Sequence, residues 1–418
     1  MRTFALAYAA LVALAGCSGS GPTPASPQPP ASNSGLMAIA SAGEFHKIYI
    51  PTIGSIPNAE VAVVNAATPH GQNGVMKYLD LGSFGTATAV GASGTDVVVV
   101  DLTSPHVYFV DALTDSVKGM ATLPAEAVQR PNSDRYGYGQ GAAVDATRRR
   151  AWAAVSYGIV EYDLDTRAEV ATHRVPAPEN FAYDPNGRRL LAPYYPCDTV
   201  ANPPEVCVTS APPGGADLTD GLSYVDLIGG AAYSFADPAA TDPAAPLGRE
   251  VDAVSIDFGL GLAAVATESP SRLEFLDLAA PTFDAGTSRW VSTRTLSIDM
   301  PGPIYSVISA DTQTHLLFVG QEYEAGMLWV DLAKAKAGTA AVLEVTMPDL
   351  PDGTPWGTQG DPHGAIMGVV AGRPYAFVSS DNRYWIARID LLGVRALMDG
   401  GPGTYASLVS YISVPPPP

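Results

Sequence analysis

Basic side chains and cysteines are scarce in this chain of 418 residues, and each shortage excludes a class of function. Lys and Arg number 23 against 42 Asp and Glu, which gives a formal net charge of −19. A surface that binds nucleic acid or anionic lipid headgroups needs surplus positive charge, so we expect neither partner. The chain has three cysteines and no Cys-x-x-Cys-His, which excludes covalent c-type haem.

Long apolar runs and familiar catalytic motifs are missing as well. Beyond the N-terminal segment, no stretch approaches the ~18 consecutive apolar residues of a spanning helix. The chain contains no Gly-x-Ser-x-Gly elbow, no His-Glu-x-x-His and no Walker loop. Whether the protein is an enzyme is therefore uncertain, and the sequence favours a non-enzyme. Hydrophobic residues make up 47% of the chain, enough for a large core, which excludes a wholly disordered protein.

The N-terminal segment predicts export and lipid attachment. Residues 1–16 read as a signal peptide, with Arg2 ahead of a short apolar stretch. The sequence Leu-Ala-Gly-Cys at residues 14–17 resembles the bacterial lipobox, which implies a lipid on Cys17. The alternative is an ordinary secretory signal with an incidental cysteine. Ser18 stands where an Asp would resemble an inner-membrane retention signal, so the outer membrane is favoured. Residues 17–35 combine the lipidated cysteine with a disordered Pro/Ser/Gly tether.

The other two cysteines, Cys197 and Cys207, flank a short Pro-rich loop. An oxidising compartment outside the inner membrane favours a disulfide between them. The alternative is a metal pair, but no further Cys and no nearby His completes a tetrahedral set.

A short unit recurs along the rest of the chain: a hydrophobic pair, then Asp or Asn, then usually Leu or Ala. Asn65 in the first copy and Asp390 in the last lie 325 residues apart over six steps, about 54 residues each. That period is slightly above the range of four-stranded propeller blades, so seven copies predict seven blades. Each carboxylate is expected to cap backbone N–H groups in the turn after a third strand. The seven polar positions are Asn65, Asp111, Asp163, Asp226, Asp277, Asp331 and Asp390.

A second landmark precedes these units: an apolar strand, a tight turn and another apolar strand. Its turns begin at Asp145, Asp184, Asp257 and Asp311. In the last copy, residues 362–391 read Pro-x-Gly, strand, turn, Tyr-x-Phe-Val-Ser, Asp-Asn, strand and Ile-Asp-Leu. This order resembles the YVTN β-propeller repeat, a family distantly similar to the lactonase-type propellers. The resemblance covers residues 40–412 and implies an all-β fold, a single seven-bladed β-propeller of four-stranded antiparallel blades. We expect the propeller domain to span residues 36–414, followed by a Pro tail at 415–418.

Propeller ligands usually bind at the mouth of the central channel, on connections that lead into the innermost strands. Several blades place a carboxylate there, which is costly unless a cation or shared protons offset the charge. Asn180 belongs to the same set of mouth positions. The alternative is that these groups pair with nearby basic side chains, local backbone or solvent, and no cofactor is certain. The candidate ligands are Glu179, Glu250, Asp252 and Asp361 for Ca²⁺, and His46 and His363 for a transition metal.

The positions of the tryptophans and of one basic run predict whether these residues are buried or exposed. Tryptophans within predicted strands are expected to pack between blades, and this set is Trp152, Trp329 and Trp385. Trp290 and Trp356 lie in insertions and are expected to be exposed contacts. The run Arg148–Arg150 falls on an inner-strand turn and is interpreted as a solvated corner.

Four insertions exceed what a blade needs, at residues 193–222, 237–249, 282–303 and 344–362. Placed on one rim, they predict a broad recognition surface. The leading hypothesis is therefore an outer-membrane lipoprotein, facing the periplasm or the cell surface. It would contact the membrane through the lipid on Cys17 and act as a binding or assembly scaffold for a protein or envelope-polymer partner. The alternative is a lactonase-like or metal-dependent hydrolase that uses the acidic and His residues at the channel mouth.

Overall fold

A computed structural model describes residues 38–40, 47–52, 60–81, 87–101, 105–123, 141–155, 158–175, 178, 180–194, 221–238, 240, 246–301, 307–321, 325–356, 362–380 and 383–415. They belong to one compact unit, Asn33–Pro418, and form a seven-bladed β-propeller. Each run of four consecutive strands makes one antiparallel set in chain order. The first strands of most neighbouring blades contact one another. No helix in the described part of the chain is long and apolar enough to cross a membrane.

The strands are grouped by blade. Blades one to three contain β1 (Ala38–Ala40), β2 (Lys47–Thr52), β3 (Glu60–Asn65) and β4 (Val75–Asp80); β5 (Ala87–Ser93), β6 (Asp96–Asp101), β7 (His106–Asp111) and β8 (Ser116–Thr122); and β9 (Ala142–Asp145), β10 (Arg150–Val155), β11 (Gly158–Asp163) and β12 (Glu169–His173). Blades four and five contain β13 (Ala182–Asp184), β14 (Arg189–Tyr194), β15 (Gly221–Asp226) and β16 (Ala232–Phe235); and β17 (Arg249–Asp257), β18 (Leu262–Ser269), β19 (Ser271–Asp284) and β20 (Arg289–Asp299). Blades six and seven contain β21 (Val307–Asp311), β22 (Leu316–Gly320), β23 (Gly326–Asp331) and β24 (Val342–Thr346); and β25 (Pro362–Val370), β26 (Arg373–Ser380), β27 (Arg383–Asp390) and β28 (Val409–Ser413). Two short α-helices, α1 (Leu332–Lys336) and α2 (Leu391–Met398), and a 3-10 helix (Tyr405–Leu408) follow third strands.

Each blade is buried on both faces because it lies between two neighbours. Strand β6 shows the consequence, since its run of four valines is buried throughout. Val97 and Val99 pack toward blade one, whereas Val98 and Val100 pack toward blade three. Successive side chains of a strand point to opposite faces, so an unbroken apolar run serves two interfaces at once.

Seven buried clusters join the blades, one at each interface between neighbours. The seventh cluster closes the ring: Ile48 and Val64 of blade one pack with Phe377 and Ile412 of blade seven. Blade one takes all its strands from the N-terminal end of the domain and blade seven all of its strands from the C-terminal end. Closure therefore rests on side-chain packing and a few backbone bonds rather than on a shared blade. Strand β28 completes blade seven without help from Ala38–Ala40, which pair with β2 in blade one.

The backbone bonds of closure join the turn after β3 to β28. The N–H groups of Gly71 and Gly74 donate to the carbonyls of Tyr411 and Ser413 at 2.7 and 2.9 Å. A Cβ on Gly74 would lie 2.4 Å from a methyl of Ile412 and 2.9 Å from a methyl of Val64. Both methyl groups are fully buried, so neither can move aside without disturbing the seventh cluster.

We expect Gly74→Ala to destabilise the ring by about 1–3 kcal/mol, the usual cost of overpacking a core. Urea denaturation followed by tryptophan fluorescence measures the loss. The matched control is Gly286→Ala at an exposed hairpin tip, where the nearest atom to a new Cβ is a side-chain oxygen 3.2 Å away. An equal loss in the two variants would contradict a specific role for Gly74.

The capping role predicted for the repeated Asp and Asn positions is confirmed at six of the seven. Asp163 Oδ1, for example, accepts from the N–H groups of Asp165 and Thr166 at 3.0 and 2.9 Å. Asp331 caps α1 by accepting from the Lys334 N–H at 3.1 Å. Asp390 is the exception, because its carboxylate pairs with Arg373 instead. The remaining capping residues are Asn65, Asp111, Asp226 and Asp277.

Strands one and three of a blade run in the same direction, so the turns that follow them lie on one face of the ring, here called the turn face. On that face a polar contact crosses every blade interface. The contacts, in ring order, are Lys47–Asp115 (2.7 Å), Arg149–Asp96, Tyr183–Asp145 (2.5 Å), Arg189 to the Leu278 carbonyl (2.9 Å), His315–Asp257 (2.7 Å), Arg395–Asp331 (2.6 Å) and Arg388 to the Ala66 carbonyl (2.8 Å). The interpretation of Arg148–Arg150 as a solvated corner is therefore wrong for Arg149, which bridges blades two and three.

Two predictions about the insertions are wrong. Residues 282–303 do not form a free loop, because most of them extend β19 and β20 into a long hairpin whose end pairs with β16 in parallel. Trp290 is consequently 0% exposed and packs on Phe235, with ring centroids 5.0 Å apart. Trp356 is 2% exposed and stacks on Tyr411 at 5.8 Å. The strand tryptophans behave as predicted and pack between blades, with Trp385 only partly buried.

Candidate functional site

The side chain of Asp252 is described, alone among the six candidate metal ligands. A bulge between Val251 and Ala253 takes Asp252 out of the regular ladder, and the residue is 8% exposed. The Asn180 side-chain amide donates to the Asp252 carbonyl at 2.8 Å. Two predicted mouth positions, one leading into blade four and one in blade five, are thus brought together.

The other predicted site residues cannot be placed. Glu250 and His363 fall in β17 and β25, and their side chains lie outside the described residues. Also outside them are Cys17, His46, Glu179, Cys197, Cys207 and Asp361. Within the part of the chain that the structure describes, no three His, Cys, Asp or Glu side chains come together as metal ligands. The metal, disulfide and hydrolase readings stay predictions.

A cavity of about 410 Å³ lies between blades three and four, at a place the sequence analysis did not select. We call it the Trp152 cavity. At one wall the indole of Trp152 stacks on the Tyr183 ring of the next blade, with centroids 4.6 Å apart and 30° between the planes. The lining residues are Arg148, Arg150, Trp152, Glu161, Val170, Tyr183, Arg188 and Leu227.

The carboxylate of Glu161 lies between the side chains of Arg150 and His173. One oxygen lies 3.2 Å from Arg150 and the other 3.1 Å from the His173 ring. Burial raises the pKa of Glu161, but the hydrogen bond and charge of His173, together with Arg150, outweigh burial and leave the pKa below its ordinary value. Glu161 is therefore ionised at neutral pH. The Trp152 indole also helps to lower this pKa, although its N–H falls short of hydrogen-bond geometry to the carboxylate.

Asp145 is the second carboxylate beside the Trp152 cavity, and it is also fully engaged. The Tyr183 hydroxyl donates to it at 2.5 Å, and Arg148 pairs with it at 2.6 Å. Burial raises the pKa of Asp145, but the hydrogen bonds from Tyr183 and Arg148 lower it further than burial raises it. Both carboxylates are committed to partners, so the arrangement favours recognition of a ligand over proton transfer.

Removing the Tyr183 hydroxyl should show how strongly the ionised form of Asp145 depends on this hydrogen bond. Tyr183→Phe keeps the ring that stacks on Trp152 but takes a donor from the buried Asp145, so its pKa should rise. We expect a loss of about 1.5–3 kcal/mol at pH 7, the usual worth of a hydrogen bond to a charged group. A lowered pKa contributes stability above about pH 4 that is lost as pH falls through the folded pKa, so the loss should shrink in acid.

Urea denaturation of wild type and Tyr183→Phe at pH 7 and pH 3 measures both effects. The matched control is Tyr233→Phe, because the Tyr233 hydroxyl makes no hydrogen bond among the described residues. A loss that does not change with pH would contradict the account.

The sequence did carry a signal for the Trp152 cavity. Residues 141–194 contain seven arginines and seven carboxylates, so this stretch is neutral in a chain of net charge −19. What the sequence could not supply is the pairing of Arg150, Trp152 and Glu161 in one blade with Tyr183 and Arg188 in the next.

Comparisons with known proteins place the fold and no more. No family model matches the chain, and no curated protein does. Among solved structures, the chain is similar to hydrazine synthase of Kuenenia stuttgartiensis, with TM-score 0.54 and 12% identity over 94% of this chain and 99% of that one. It is similar to the RRP9 WD40 repeats, with TM-score 0.52 and 8% identity over 84% and 92%. It is also similar to KlAtg21 in complex with the coiled coil of AgAtg16, with TM-score 0.51 and 11% identity over 85% and 93%. These likenesses show a propeller fold, and the YVTN resemblance stays a prediction.

Proposed function

We propose that this chain is a lipid-anchored binding scaffold of the bacterial cell envelope, whose propeller holds a partner protein. The observation that supports a scaffold is the ring itself, with a buried cluster and a polar contact at every blade interface. A rigid frame presents binding groups with little ordering cost when a partner arrives. The Trp152 cavity is one concave feature of that frame.

The partner class is part of the proposal. A protein is favoured over an envelope polymer because one similar propeller, KlAtg21, is seen in complex with a coiled coil, and another consists of WD40 repeats. The insertions at 193–222 and 237–249 lie partly outside the described residues and remain part of the proposed recognition surface.

The proposed location in the cell envelope rests on the sequence. A lipobox-like Leu-Ala-Gly-Cys follows the apolar stretch, and a Pro/Ser/Gly segment separates Cys17 from the propeller. Labelling cells with radioactive palmitate tests the anchor: wild type should incorporate label and Cys17→Ser should incorporate none. Cys197→Ser is the matched control and should label like wild type. Equal labelling of wild type and Cys17→Ser would overturn the anchor.

Crosslinking the full lipoprotein with formaldehyde in its native envelope tests the scaffold. We expect a discrete set of partner proteins that decreases when Cys17→Ser releases the chain from the membrane. Recovery of no stable partner from the wild-type lipoprotein would overturn the proposal.

A further inference from the structure

One cation that lines the Trp152 cavity has no ion-pair partner among the described residues. The indole N–H of Trp152 is buried and interacts with Glu161, whose pKa it helps to lower, so it is not available to a ligand. Arg188 lies at the rim and makes no ion pair among the described residues, whereas Arg148 and Arg150 are each bound to carboxylates. Arg188 is therefore available to pair with a negative charge supplied by a ligand.

The backbone conformation of Arg188 also indicates a side chain positioned to bind an anion. Arg188 adopts a left-handed conformation, with φ 47°, in the turn between the first two strands of blade four. Arg149 and His315 occupy the same conformation in the equivalent turns of blades three and six, with φ 57° and 53°. Each of those two side chains crosses to an aspartate of the preceding blade. Arg188 carries the same backbone strain without an acceptor among the residues that the structure describes, because Asp145 is already taken by Arg148 and Tyr183.

The rest of the cavity offers apolar and planar surface. Trp152 and Tyr183 form a stacked aromatic wall, Val170 is 49% exposed and Leu227 is half-buried. The volume of about 410 Å³ lies within the range of ligand sites. The outer strand β12, which carries Val170, pairs with β11 on one side and with no strand on the other among the described residues.

We propose that the Trp152 cavity binds a carboxylate carried next to an apolar group, presented by an acidic, hydrophobic segment of the partner protein. The proposal rests on the proposed scaffold function. The carboxylate would pair with Arg188, while the neighbouring side chain would contact Val170 and Leu227. One unpaired guanidinium matches a single negative charge, whereas a dianionic phosphate would lie near the ionised Glu161 with less compensation.

Selection from a phage-displayed library of random dodecapeptides on the full-length lipoprotein in detergent tests this. We expect enriched peptides to share an Asp or Glu beside an aromatic or aliphatic residue. A synthetic peptide from the selection should bind Arg188→Gly at least tenfold more weakly than wild type.

Arg188→Gly also separates binding from folding. Glycine adopts positive φ without strain, so this variant should melt at or above the wild-type temperature while losing the peptide. The matched control is Arg373→Ala, which removes an exposed arginine far from the cavity and should leave affinity unchanged. Absence of acidic and apolar enrichment, or equal affinity of Arg188→Gly and wild type, would overturn the assignment.

The outcomes for the cavity and for the scaffold differ. If no envelope partner is crosslinked but selected peptides still depend on Arg188, the scaffold proposal fails and the cavity assignment stands. If Arg188→Gly captures the same envelope partners as wild type, the scaffold stands and the cavity assignment falls.

Discussion

Removal of residues 362–415, the whole of blade seven, is expected to leave a chain that no longer unfolds in one cooperative step. Blade seven supplies half of two buried clusters. Phe377 and Ile412 pack against blade one, and Ala387 and Ile389 pack toward blade six. Each fully buried large apolar side chain is worth about 1.5–3 kcal/mol. The combined loss exceeds the ~5–15 kcal/mol net stability of a typical domain.

The deletion also uncovers surfaces that the full ring hides. Val64 of blade one and Trp329 of blade six, both 0% exposed, would face solvent. We expect broadened urea transitions, loss of near-ultraviolet circular dichroism and aggregation on size-exclusion chromatography. A chain ending at Pro415 removes residues outside the blades and serves as the control. A sharp transition near the full-length midpoint in the deleted chain would count against a closed ring.

Loss of the Arg395 side chain is expected to destabilise the ring strongly. Arg395 pairs with Asp331 at 2.6 Å and donates to the Thr314 carbonyl at 2.8 Å, so it joins blade seven to blade six. Asp331 is 4% exposed. Arg395→Ala removes the nearer of two cations beside that carboxylate, because Lys334 lies farther away at 3.8 Å. Breaking a buried pair in this way typically costs about 3–5 kcal/mol.

The pKa of Asp331 determines whether this loss of stability grows or shrinks with pH. Burial raises the pKa of Asp331, but the Arg395 hydrogen bond, the Lys334 backbone N–H and nearby positive charge together lower it below its ordinary value. A lowered pKa contributes stability above about pH 4 that disappears as pH falls through the folded pKa. The gap between wild type and Arg395→Ala should therefore narrow from pH 7 to pH 3.

Urea denaturation at the two pH values measures the gap. Arg373→Ala is the matched control. Arg373, like Arg395, pairs with an aspartate, in this case Asp390 of its own blade, but its side chain is 52% exposed. Exposed pairs contribute about 0–1 kcal/mol, so the control should lose little. Similar losses in the two variants would show that burial of Asp331 does not set the cost.

The parts of the fold that depend on local chemistry could be predicted from the sequence. A carboxylate that caps N–H groups two or three residues ahead acts within one turn, so Asp163 and its repeats revealed both the third strands and the blade count. Trp290 and Trp356 could not be predicted correctly. Their burial depends on chain segments that fold back across blade boundaries, such as the parallel pairing of β16 with β20, and no repeat period encodes that contact.

The candidate site was harder to predict for the same reason. Asp252 was selected because it leads into an inner strand, and its contact with Asn180 follows from the order of the blades. Trp152 and Arg188 are 36 residues apart in the chain, and both line the Trp152 cavity because blades three and four pack side by side. A run of arginines marks the region in the sequence, but only the folded structure shows which arginine lacks a partner among the described residues.

The way the ring closes has a consequence for how such a protein can evolve. Every blade is one continuous piece of chain, because blade one and blade seven share no strand. A single in-frame duplication or loss of about 54 codons could therefore add or remove a complete blade without leaving another half built. In a ring whose last blade is assembled from both chain ends, the same event would have to preserve the register of two distant segments. The gene for this propeller is free of that constraint.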